Sequence, residues 1–110
     1  MAISARTGLT ASNTAAATSL TTGSLSLTTG QGVLVAVALA NTAASVSSIT
    51  DTLSNTYTLK SAASNAGNVR TELWQAQNVV SGSATITVNA SASSLMTVAA
   101  EEYGGTANST

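Results

Sequence analysis

Residues 33–40, reading VLVAVALA, are eight apolar residues in succession with no charge, entered through Gly30-Gln31-Gly32. Eight is too short for a helix that crosses a membrane. A run of this length, rich in β-branched Val and preceded by turn residues, predicts a strand covered on both faces. Side chains alternate along a strand, so Val33, Val35, Val37 and Leu39 share one face and Leu34, Ala36, Ala38 and Ala40 the other. The bulkier face belongs in a core, and the Ala-lined face lets a neighbour approach closely. The residues leave a buried helix segment open as the alternative, because Ala and Leu are good helix formers.

A chain of 110 residues makes one domain, 1–110. Ala, Ser and Thr number 21, 17 and 19, just over half of it, and there is no Phe. Side chains this small cannot fill a thick core, so the larger aliphatics must be gathered on a few inward faces, and contacts between subunits are expected to add stability. Arg6, Lys60 and Arg70 face Asp51, Glu72, Glu101 and Glu102. Three cations cannot build the basic patch that phosphate neutralisation requires, which argues against nucleic acid as a partner. A near-neutral Ser/Thr surface favours packing against copies of itself or a neighbour.

The chain alternates through most of its length. Residues 1–6 read as an edge strand or an arm, with Ile3 its sizeable aliphatic, and 7–17 as a loop. Residues 24–28, 46–53, 56–59, 69–77, 84–90 and 95–103 read as strands. Residues 61–68 read as an exposed loop, Ser81-Gly82-Ser83 as a hairpin turn, and 104–110 as a polar tail. Asp51 to Asn55 reads as a turn in which Asp and Asn side chains bond nearby amides. In 69–77, Val69, Thr71, Leu73 and Gln75 share one face, and Arg70, Glu72, Trp74 and Ala76 the other. Seven to nine short strands with turns every eight to twelve residues mark an all-β sandwich or barrel of mainly antiparallel strands. With no Pro and few charges to blunt them, its edges are expected to be covered by another chain.

Candidate chemistry is sparse. With neither His nor Cys in the sequence, the usual catalytic triads and thiolate sites have no members, and a Ser/Lys pair would rest on Lys60 alone. Glu101 and Glu102 are adjacent on a strand and point to opposite faces, so they cannot serve one glycosidase site together. Asp51 and Asn55 offer too few oxygens for Ca²⁺. No catalytic residue, cofactor or metal is therefore expected. Trp74 is the candidate stacking or core-anchoring residue, with Tyr57, Tyr103 and Arg70 as further core or interface candidates, and Ile3 and Arg6 as parts of an assembly arm.

Residues 51–59 (DTLSNTYTL), 70–78 (RTELWQAQN) and 100–105 (AEEYGG) together resemble immunoglobulin-like β-sandwich modules of bacterial surface proteins and phage virion proteins. The resemblance covers roughly 24–105. Where that pattern has Glu-Tyr-Ser-Gly followed by further strands, this chain has Glu-Tyr-Gly-Gly near its end, which suggests a compact variant or a half-module completed by a partner. The resembling motifs are specific for the sandwich and nearly silent on activity; the expected function is a non-enzymatic virion structural protein, a phage capsid decoration (cement) protein at the virion surface. Its expected partners are copies of itself, as a trimer, and a major capsid protein, with no membrane. An extracellular composition without a secretion signal or cysteine fits assembly inside a cell and service outside it. The alternative is a carbohydrate- or surface-binding module of a larger secreted protein, placed outside the cell or on its surface.

Overall fold

The alternating segments form eight strands: β1 (Ser4–Ser12), β2 (Ala17–Leu27), β3 (Gly32–Leu39), β4 (Val46–Asp51), β5 (Thr58–Asn65), β6 (Val69–Ala76), β7 (Gly82–Ser94) and β8 (Met96–Gly104). The computed structural model describes residues 4–41, 43–65 and 69–104. Ile3, the start of the expected arm, and the tail beyond Gly104 lie outside the described residues. One sheet has five strands in the order β1-β8-β3-β6-β5 and the other three, β2-β7-β4. Every pairing is antiparallel.

The pairings are nested. β1 lies beside β8, β2 beside β7 and β3 beside β6. The chain is thus one long hairpin, rolled so that its arms alternate between the sheets. That brings the first and last strands together, the order of a jelly roll, with β5 joined to the five-stranded sheet. The likeness to immunoglobulin modules extends to the two-layer architecture. The connectivity differs, since those modules distribute their strands as ABED and CFG.

The core lies between the sheets. Val33, Val35, Val37 and Leu39 of the central strand β3 meet Leu25, Leu27, Ile49, Ile86 and Val88 of the smaller sheet. Each such side chain contributes about 1.5–3 kcal/mol when withdrawn from water, and the four on β3 are no more than 1 % exposed. The other face of β3 corrects the sequence reading, because it is not covered. Ala36 and Ala40 are exposed, and Leu34 and Ala38 are half-buried. The apolar run identifies a central strand with neighbours at both edges, and the described residues supply a second layer on one side alone.

Three further expectations are corrected. Residues 7–17, read as a loop, include most of β1, which pairs along β8 from Ser4↔Gly104 to Ser12↔Thr97. The expected loop 61–68 is strand as far as Asn65, paired with β6 through a bulge between Leu59 and Ser61. Ser81-Gly82-Ser83 is no hairpin turn, for β6 and β7 belong to different sheets, and Gly82, at φ 139°, starts β7.

β6 lies over β4, as the Val46 amide donating to Glu72 Oε2 across 2.8 Å shows. β5 therefore overhangs the smaller sheet by one strand. Its residues 58–64 are exposed on both faces.

Candidate functional site

The sequence candidates separate into three places. On the inner face of β6, alternation turns Arg70, Glu72 and Trp74 toward the smaller sheet. Trp74 is 9 % exposed, and its Nε1 donates to Glu72 Oε1 at 2.9 Å. Glu72 Oε2 accepts from the Val46 amide and, at 2.8 Å, from Arg70 Nε. Burial pushes the Glu72 carboxyl up. The hydrogen bonds from Arg70, Val46 and Trp74, with the Arg70 charge, outweigh that and hold it below its ordinary value. This carboxylate, accepting three hydrogen bonds, ties the two sheets together.

Tyr57 sits at the crossover from β4 to β5. Asp51 Oδ1 accepts the Leu53 and Asn55 amides at 2.9 and 3.0 Å, and Oδ2 accepts Asn55 Nδ2 and the Tyr57 hydroxyl at 2.9 and 2.8 Å. Burial, then the hydrogen bond and charge of Asp51, raise the Tyr57 phenol well above its ordinary value. Asn55 Oδ1 in turn accepts the Val80 amide at 2.8 Å, which fastens the turn to the loop ahead of β7. This is the Asx-type turn the sequence suggests, and the turn itself uses the Asp51 oxygens. Among the described residues no group of His, Cys, Asp or Glu side chains gathers in a way that would hold a metal ion.

Tyr103 lies elsewhere, on the outer face of the five-stranded sheet, with Gln75 Nε2 donating to its hydroxyl. Its ring covers Gly32, where a Cβ would collide with the ring carbon bearing the hydroxyl. Arg6 falls in edge strand β1, at the irregularity between Ala5 and Thr7, so the expected arm is part of the sheet from Ser4 onward.

That outer face is the surface the structure singles out. Register fixes its rows: Leu34 lies beside Glu101 and Gln75, Ala36 beside Ala99 and Leu73, and Ala38 beside Thr97 and Thr71. Gly8 and Thr10 of β1 extend the first two rows. A trough of about 600 Å³ runs across the sheet, floored by Gly8, Ala36 and Ala99 between Leu34, Leu73 and Glu101. A second, of about 310 Å³, continues it over Ala38 and Thr71. Val69 and Leu95, two of the exposed large hydrophobics, stand at its far end. Glu101 is the charged side chain within these rows, and Lys60 sits at the bulge on edge strand β5.

The individual members of this face were legible in the sequence, as the Ala-lined side of β3 and the Leu73 side of β6. That they form one surface was not, because only the long-range order β8-β3-β6 brings the two together. No family model matches this sequence, and the comparisons with curated proteins and with solved structures likewise return no match.

Proposed function

We propose that this protein is a non-enzymatic structural component of an assembly, a capsid decoration protein at a virion surface that meets neighbouring subunits through the outer face of its five-stranded sheet. One observation carries the reading. The centre of that sheet presents Leu and Ala to solvent where a free-standing antiparallel sheet presents polar side chains. A contiguous apolar surface of this kind marks a protein–protein contact. The fold does not choose among functions, since jelly rolls serve viral capsid and lectin domains alike. The carbohydrate-binding alternative requires exposed aromatic rings, and Trp74, Tyr57 and Tyr103 are each buried. Quantitative mass spectrometry of purified virions from the source tests the reading. Many copies per particle, lost on Ala99→Glu, are expected. Recovery in a glycan-bound secreted fraction, with none in particles, would overturn it.

A further inference from the structure

We infer that the occupant of the outer face is a second copy of this chain, packed sheet to sheet about a two-fold axis that runs along β3. The inference rests on the proposal above that this face is a protein contact, and it names the partner.

Area comes first. From the Leu34 row to Ala40 the face is about 20 Å long, and five strands make it about 24 Å wide, at about 3.3 Å per residue and 4.8 Å per strand. That is roughly 500 Å² per copy, and two copies remove roughly 1,000 Å² from water, the lower bound for a specific interface. The area suits a reversible pair.

Charge comes second. A two-fold axis along β3 sets β3 on its own copy and β8 opposite the partner's β6, with the partner's β5 one strand beyond. Level is preserved along the axis. Glu101 shares its level with Leu34, hence with Gln75 and Thr58, so each Glu101 comes to lie over the other copy's β6–β5 margin. Lys60 is there. The register passes over Lys60 between Leu59↔Trp74 and Ser61↔Leu73, so the bulge leaves it exposed on the edge strand, where its long side chain can reach the outer face. The anion of each copy thus meets the cation of the other, twice. A charged partner face without this arrangement would leave Glu101 unpaired in an apolar contact, which is costly.

Shape agrees. Leu34 and Leu73 rise beside a floor of Gly8, Ala36 and Ala99, so the face carries both the projections and the hollow that a self-complementary contact uses. A patch that pairs with itself closes at two copies, giving a dimer in place of the trimer expected from the sequence.

Sedimentation velocity of the full chain over a concentration series tests this. The expected result is a monomer–dimer equilibrium at micromolar concentration. Ala99→Glu should raise the dissociation constant at least tenfold. Glu101→Lys and Lys60→Glu should each weaken the dimer about tenfold, and the double exchange should restore it to within about threefold. Both exchanged residues are exposed, so those variants keep the fold. A monomer at all concentrations, a trimer, or a dimer indifferent to all four variants would overturn the inference. Particle incorporation separates the two readings. A monomer whose Ala99→Glu variant fails to join particles leaves the decoration reading standing and overturns this one. A dimer sensitive to the variants but absent from particles does the reverse.

Discussion

The Trp74 indole donates to Glu72 Oε1 across 2.9 Å inside the sandwich, so the largest side chain and a buried carboxylate of β6 satisfy each other. Removing either member changes more than volume. Trp74→Ala should cost about 3–5 kcal/mol as a large core truncation. Trp74→Phe, which keeps most of the packing and strands Glu72 Oε1, should cost about 1–3 kcal/mol. Urea unfolding checks both. Fluorescence of the native protein should be blue-shifted and move to the red on unfolding, and a native maximum typical of free indole would contradict the burial of Trp74.

The same carboxylate sets an acid limb of stability. Its folded value lies below the ordinary 4.5, so folding favours the ionised form. That contribution is complete above about pH 4.5 and is lost as pH falls through the folded value. Chemical denaturation between pH 7 and 2 should therefore show stability declining below about pH 4.5. Glu72→Gln should cost about 2–3 kcal/mol at pH 7, since the amide nitrogen now faces donors, and should flatten the acid limb. A variant as acid-sensitive as the parent would remove Glu72 from this role.

Asp51 organises the β4–β5 crossover with four accepted hydrogen bonds. Asp51→Ala should cost about 2–4 kcal/mol, as several donors lose their acceptor. Asp51→Asn, which keeps an oxygen for the Leu53 and Asn55 amides, should cost about half as much. Hydrogen exchange should locate the loss, with faster exchange at Leu53, Asn55 and Val80 before any change in β3.

Which parts of this were legible in the sequence follows from how each strand is buried. β3 was legible because Val at alternate positions records a face with full coverage. β5 was legible only at its start, within 56–59, because its overhang leaves both faces in water and no alternation develops in 58–64. In β6 the alternation was visible while its direction was not, for Val69 and Leu73 on one side weigh as much as Trp74 and Ala76 on the other. The inward side is the one carrying Arg70 and Glu72, which is tolerable only because Val46 and Trp74 supply donors, and that arrangement exists in three dimensions alone. Strand order was likewise invisible, since β1 meets β8 across nearly the whole chain.

Gly32 and Tyr103 make the sharpest test of the outer face. A Cβ on Gly32 would overlap Cζ and the hydroxyl oxygen of Tyr103. These atoms are the far end of a side chain that can rotate away, so Gly32→Ala should expel the ring without breaking the sheet. The loss comprises the ring's burial and the Gln75 hydrogen bond, about 1–3 kcal/mol. In a Tyr103→Ala background the added methyl meets no ring, so Gly32→Ala should there be close to neutral. A double-mutant cycle would then give a coupling of about 1–3 kcal/mol, as expected for groups in direct contact. Additive costs from the two substitutions would show that the ring does not rest on Gly32.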